Sequence, residues 1–357
     1  MNHFNFSRPL IRVATVLTLA ATVLSSCKKD VENTAPVVAP SPSVADVIKT
    51  NSELTVFVAA VQKTGLGYML SSNAAFTVFA PNNAAFAALT GTPFVSAASI
   101  AALPTATTAD IAQITNLRNI LLYHITPGNR KIADLSNGPV ASQRAPAAPR
   151  TAESPFYVTR NGNSTVLNGG AARVVTPDAL SAQNGTVHII DAVIQQPTQT
   201  VSQYVTALAT ATTNPQFTLL RQALARDTVA AALGTSTSVG SLANGNSNIT
   251  VFAPTDAAFT ALLASIGRTS LAQVPARILL AILQKHIVND SRLLANSLTP
   301  GQTLTSLNGP ITIGTGTSPS GLTVRSSGNG ANAANILTTN VLTTNGVVYV
   351  IDRVLLP

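Results

Sequence analysis

The chain has 357 residues, enough for two ordinary domains, and a hydrophobic content of 46% supports genuine cores. Aromatic residues make up only 4% and there is no Trp, so the abundant Val, Ile, Leu and Ala predict aliphatic cores beneath a weakly charged, hydroxyl-rich, turn-rich surface. The net charge is +8, or +6 once Arg8 and Arg12 leave with a leader, and its basic residues are scattered singly without interleaved aromatics, which excludes a nucleic-acid interface.

At the N-terminus Arg8 and Arg12 precede an apolar run from Val13 to Leu24. Its twelve residues fall short of the ~20 that a spanning helix needs, so a cleaved secretory signal fits better than a membrane anchor. The run ends in Leu24-Ser25-Ser26-Cys27, which resembles a bacterial lipoprotein signal, where cleavage leaves a lipid-modified cysteine as the first mature residue. An ordinary signal peptide that happens to hold a cysteine is the alternative. Because Cys27 is the only cysteine, no disulfide can form within the chain, and lipidated Cys27 is the expected link to a membrane. Residues 28–42 are polar and Pro-rich and read as an extended tether. Asp30 and Glu32 beside Lys28 and Lys29 resemble signals that send lipoproteins of some Gram-negative bacteria to the outer surface, so the chain is expected to be exported and anchored at the outer membrane.

From Ser43 the elements come in order. Ser52 is expected to cap a helix bearing Leu54, Phe57, Val58 and Val61, which Gly65 and Gly67 stop. Phe76 to Leu89, FTVFAPNNAAFAAL, reads as a strand ended by Pro81 and a helix capped by Asn82. A connection carrying Pro93 and Pro104 follows. Asp110 is then expected to cap a helix with the stripe Leu117, Ile120, Leu121 and His124, terminated by Thr126-Pro127-Gly128. From there to Pro197 the runs FYVTR, STVLNGG and ARVVTPD predict antiparallel strands, and Gln143 to Pro155 reads as an exposed Pro-bearing loop.

The same series then returns with hardly any linker. Asn214 and Pro215 are expected as N-cap and first residue of a helix bearing Phe217, Leu220 and Leu224. The corner recurs as ITVFAPTDAAFTAL, with Thr255 as cap and Asp256 placing negative charge at the positive end of the helix dipole. A helix with Leu279, Ile282, Leu283 and His286 follows, then the strand-like runs QTLTSL, ITIGTG, LTVRS and ANILTTNVLTTN. Both copies close alike, NGTVHIIDAVI at Asn184 to Ile194 and NGVVYVIDRVL at Asn345 to Leu355. The corners lie 173 positions apart, the helical histidines 162 and the closing Asn-Gly pairs 161, so a single insertion of eleven residues between Leu89 and His124 relates the copies. This is duplication of a whole domain, with expected bounds 43–197 and 198–357, rather than of a short solenoid unit.

The corner TVFAPTDAAF, the helix ending in Tyr123-His124 and the closing NGTVHIIDAVI and NGVVYVIDRVLLP together resemble the fasciclin-like (FAS1) domain, present as a tandem pair from Ser43 to Pro357. The resemblance implies an α+β fold in which each domain is a wedge-shaped β-sandwich with packed helices. It further implies a non-catalytic, exported or surface-anchored protein that adheres to extracellular matrix, cell-surface protein or polysaccharide. The partner contacts proposed in animal members correspond here to Tyr123, His124 and Asp191, with His286 and Asp352 in the second copy. The second copy departs from the family pattern with Lys285-His286 in place of Tyr-His, and the first with Asn82-Asn83 at the corner in place of Thr-Asp. An envelope polysaccharide- or small-ligand-binding protein with a cleft between the domains is the alternative function.

Catalytic constellations are missing. There is no G-x-S-x-G elbow, no H-E-x-x-H and no Walker loop, and the three histidines after the leader lack metal-ligand spacing, so neither cofactor nor metal is expected. His124 and His286 sit on apolar stripes in last turns, where an imidazole can bond free helix carbonyls. His188 becomes Tyr349 in the other copy, which favours amphipathic packing. By strict alternation Asp191 and Asp352 share a face with aliphatic neighbours. Either they are buried and accept backbone N–H bonds, the reading that the cost of burying a carboxylate favours, or a bulge turns them outward.

Overall fold

The computed structural model describes residues 41–145, 155–226 and 239–357. The expected leader, Cys27 and most of the tether lie outside the described residues, as does most of the loop from Gln143 to Pro155. In the first repeat, helices α1 (Val44–Val47), α2 (Thr55–Lys63) and α3 (Gly67–Leu70) precede the corner, strand β1 (Phe76–Pro81) and helix α4 (Asn83–Ala87). Helices α5 (Ala97–Ala101) and α6 (Thr108–Tyr123) lead into β2 (Ile125–Pro127), β3 (Gly138–Val140), β4 (Phe156–Asn161), β5 (Ser164–Leu167), β6 (Ala172–Ala182) and β7 (Gly185–Ile190). The second repeat has α7 (Val201–Ala209), α8 (Thr218–Leu224), β8 (Ile249–Pro254), α9 (Asp256–Ser265) and α10 (Ala276–Lys285). Its strands continue as β9 (Ile287–Val288), β10 (Thr303–Ser306), β11 (Gly309–Thr315), β12 (Leu322–Ser326), β13 (Ala334–Leu342) and β14 (Gly346–Ile351).

Each repeat builds a seven-stranded ladder in the same spatial order, β2-β1-β7-β6-β5-β4-β3 and, matching it strand for strand, β9-β8-β14-β13-β12-β11-β10. The long strand β6 belongs to two sheets: Ala172 and Arg173 pair with β5, and the rest pairs with β7 through two register shifts. That bent, shared strand folds the ladder into the two-sheet wedge. All pairings are antiparallel except β1 with β7 and β8 with β14, which are parallel. Helices α4 to α6 and α9 to α10 lie in the long crossovers that these parallel pairs require.

Both faces of these central strands are covered. Val78, Ala80, Val187 and Ile189 pack under the helices, while Phe79 and Ile190 join Phe156, Val158 and Leu167 between the sheets. The first repeat's eleven extra residues fall in the stretch that forms α5, and Phe94, Ile100 and Leu103 there are buried. The two repeats touch: Tyr157 joins the buried cluster of Phe252, Val288 and Leu294, and Asn340 Nδ2 donates to the Gly169 carbonyl at 2.9 Å.

Several expected caps are relocated. Asn51, not Ser52, accepts the first free amide ahead of α2, from Glu53 at 2.8 Å. Thr107 caps α6 and Asp110 completes a capping box, accepting the Thr107 N–H at 2.8 Å while Thr107 Oγ1 accepts that of Asp110. Helix α6 ends at Tyr123 with His124 as C-cap, and Ile125–Pro127 is already the strand β2. Asn214 and Pro215 precede α8 without capping it. Phe217 stands at its N-cap in the left-handed region, and the caps come from elsewhere: Asp256 accepts from Thr218 N–H at 3.1 Å, Leu219 N–H at 2.8 Å and Thr218 Oγ1 at 2.7 Å. Asn83 does the same work in the first repeat, accepting from Val56 N–H at 3.0 Å and donating to Ser52 O at 2.9 Å. In each corner the first polar residue caps its own helix, Asn82 for α4 and Thr255 for α9, and the second ties down an earlier one.

Candidate functional site

The distinctive residues of each repeat converge on the ends of its closing strand. Asn184 and Asn345 are buried just before β7 and β14. Asn345 Oδ1 accepts from the Val201 N–H at 2.8 Å, and its amide donates to the carbonyls of Ser241, Leu242 and Asn244 at 2.9, 3.0 and 3.1 Å. Asn184 accepts from Val44 N–H at 2.8 Å and donates to Leu70 O at 2.9 Å and Ser72 O at 2.7 Å. One side chain thus fastens the N-terminal helical segment of a repeat to its last strand. The following glycine is a matter of space, not of turn geometry: a Cβ on Gly185 would lie 2.2 Å from Phe76 O, and one on Gly346 2.5 Å from Ile249 O. At these two positions the carbonyl of the neighbouring strand lies too close for any side chain.

At the other end of the strand stand the helical histidines. His124 Nδ1 donates to Ile120 O at 2.8 Å and Nε2 accepts from Ile194 N–H at 3.0 Å. His286 repeats this with Ile282 O at 2.8 Å and Leu355 N–H at 2.9 Å. An N–H aimed at Nε2 fixes the proton on Nδ1, so both rings are neutral. Burial in turn pushes each down to about 4, outweighing the helix carbonyl that favours the charged form. Each imidazole therefore ties the last turn of α6 or α10 to the chain leaving β7 or β14.

The positions beside them are equally enclosed. Tyr123 donates its hydroxyl to Pro155 O at 3.1 Å and takes the Asn168 amide at 3.4 Å, and burial raises its phenol well above the ordinary value. Lys285, its counterpart, is buried with Nζ on Asn308 O at 2.7 Å, and desolvation lowers its ammonium. His188 and Tyr349 are both buried with their polar tips on backbone carbonyls, Nε2 to Arg130 O at 3.2 Å and the hydroxyl to Leu293 O at 2.7 Å. This is the amphipathic packing expected of an exchangeable ring. Among the described residues no group of three or more His, Cys, Asp or Glu side chains is placed to hold a metal ion, and no helix is long and apolar enough to cross a membrane.

Comparison with known proteins decides the family. Residues 52–197 and 215–357 each match the Fasciclin domain. The chain belongs to the fasciclin domain family. It is 33% identical over 155 residues to Protein sll1483 of Synechocystis sp. (strain ATCC 27184 / PCC 6803 / Kazusa), covering 43% of this chain and 74% of that one. It is also 29% identical over 283 residues to transforming growth factor-beta-induced protein ig-h3 of Sus scrofa, which covers 79% of this chain but only 35% of that protein. A solved FAS1 domain pair from the insect cell adhesion molecule Fasciclin I matches 86% of this chain and 98% of its own at 19% identity, with a TM-score of 0.33.

The contact positions implied for fasciclin domains divide sharply by accessibility. Tyr123, His124 and His286 lie inside the folded domains and bond to their own backbone. Asp191 and Asp352 stand exposed, which corrects the burial that alternation favoured for them. Alternation failed because β7 and β14 are buried along their whole length and end one residue earlier. Each carboxylate still accepts a backbone bond, Asp191 from Arg173 N–H at 2.6 Å and Asp352 from Asn335 N–H at 2.7 Å, while each backbone N–H donates back to the same residue's carbonyl at 3.1 and 3.2 Å. This reciprocal clamp pins the end of the strand in full view of solvent. Asp191→Ala is therefore expected to lower stability by only about 1 kcal/mol, the worth of one exposed hydrogen bond, as read from denaturant midpoints. A loss of several kcal/mol would mean that the carboxylate is not solvated.

Proposed function

We propose that the protein is an exported, lipid-anchored adhesion protein that presents two fasciclin domains for contact with matrix or cell-surface material. Membership of the family supports adhesion. The observation that carries a non-catalytic reading is that every distinctive side chain of the repeat, from Asn184 to His286, is occupied by its own backbone. Asp191 and Asp352, at one end of each wedge, are the members of the implied contact set that a partner can reach. Anchoring rests on Cys27 and the apolar run before it, with the Pro-rich segment as spacer. Metabolic labelling with a fatty-acid analogue is expected to mark the wild-type chain and not Cys27→Ala; equal labelling would remove the anchor. Cells displaying the chain are expected to attach to matrix-coated surfaces, and attachment equal to that of cells lacking it would overturn the adhesive reading.

A further inference from the structure

A polar cleft of about 190 Å³ opens beside the segment that leaves β7, between the C-terminal half of α6 and the loop after α4. Its wall carries the amides of Asn116, Asn119, Gln195 and Gln196 and the guanidinium of Arg144, with Leu89 and Ile120 as a small apolar face. Arg144 is half-buried, and among the described residues no carboxylate lines the cleft and no hydrogen bond holds its guanidinium. The side-chain amides of Asn116, Asn119 and Gln195 are likewise unengaged, so the wall is a set of unused donors and acceptors around one uncompensated cation. Burial lowers the Arg144 guanidinium, the cost of holding a charge there without a counterion.

The second repeat has a cleft of about 140 Å³ that shares Leu262 and Ser265, the counterparts of Leu89 and Thr92, but is walled by Asn329 and the chain leaving β14 rather than by α10. There the charge is balanced, because Asp352 and Arg353 both line it. Of these two recesses the first alone is net positive and walled by the α6 amides.

We propose that the cleft of the first domain binds an acidic sugar residue of a polysaccharide, with Arg144 taking the carboxylate and the amides taking ring hydroxyls. A guanidinium forks onto a carboxylate through two parallel bonds. Neutral amides supply both donor and acceptor, which is what vicinal hydroxyls need, and the aliphatic face meets the ring's C–H side. The volume admits one sugar ring, so the chain of the polysaccharide would pass across the opening. An acidic peptide would also meet the cation and pair its backbone with the amides, but it lacks a ring C–H face for Leu89 and Ile120, and hexaglutamate is the control that separates the two. The assignment deepens the matrix-contact reading by naming a partner class, and binding in solution tests it independently of anchoring or attachment.

Calorimetric titration of the full chain with a hexameric oligogalacturonate, its methyl-esterified form and hexaglutamate discriminates the alternatives. The oligogalacturonate is expected to bind, and esterification or Arg144→Gln to weaken it by about tenfold. Asn116→Asp, which leaves Arg144 in place but adds a negative charge to the wall, is expected to weaken it likewise. Arg353→Gln is expected to leave binding unchanged, with amide exchange confirming that each variant is folded. Wild-type affinity in Arg144→Gln, no binding of the oligogalacturonate at millimolar concentration, or equal binding of hexaglutamate would each overturn the proposal. Failed surface attachment alongside intact oligogalacturonate binding would count against the adhesive reading alone.

Discussion

Asn345→Ala is expected to remove about 4 kcal/mol from the second fasciclin domain, a large part of the 5–15 kcal/mol that stabilises a typical domain. The side chain is wholly shielded from solvent, so its loss leaves the Val201 N–H and the carbonyls of Ser241 and Leu242 facing a dry space, while the Asn244 carbonyl, at its edge, is only partly shielded. Each unpaired buried group costs roughly 1–3 kcal/mol, and partial collapse recovers some of it. Amide exchange reads the effect element by element. Protection of β8 and β14 is expected to fall by about a thousandfold, while β1 and β7 in the other domain keep theirs. Asn184→Ala is expected to do the converse, somewhat more weakly, since it orphans three backbone groups instead of four. Unchanged exchange in β14 would show that Asn345 is dispensable to the fold.

Acidification from neutral pH to about 4 is expected to destabilise both domains together. His124 and His286 are held near 4 in the folded chain against an ordinary value of about 6.5 when unfolded. Between those values the unfolded chain binds the protons and the folded chain does not, so stability is full above about 6.5 and is lost as the pH falls toward 4. A displacement of that size corresponds to roughly 3 kcal/mol for each ring, and His188, also lowered by burial, adds in the same direction. Denaturant midpoints measured across this window are expected to slope downward with acid. His286 is the only histidine of the second domain, so the slope is expected to vanish from that domain's transition, and to persist in the first, when His286 is replaced by a residue that does not titrate. A flat profile from 6.5 to 4 would mean that the rings are charged or solvated.

The duplication, the corner and the order of elements were legible in the sequence because each is carried by local signals. A proline ends TVFAP, a polar residue caps the next turn, and equal spacing betrays a copy. What escaped were bonds made at long range. Asp256 reads locally as a charge at the start of α9, yet its carboxylate serves α8, dozens of residues earlier. Asn184 and Asn345 look like turn residues before a glycine, and only the fold reveals the three or four backbone groups waiting for them. The cleft at Arg144 carried no sequence signal at all, since its wall gathers residues from four separate segments. Period-two alternation misled for Asp191 because a strand covered on both faces has no inward and outward side to report.

The place of β7 and β14 in their ladders has a consequence for how the chain comes to be folded. The last strand made in each repeat lies in the interior of the sheet, parallel to β1 or β8, whose residues were synthesised about a hundred positions before. Until that strand arrives, β1 and β6 each present an open edge, and no hairpin can close the gap between them. Neither wedge can assemble progressively behind a ribosome or a secretion channel, and each must wait for its final Asn-Gly to emerge. For the exported route proposed above that delay would be an advantage, since the chain stays threadable for as long as its closing strand is missing.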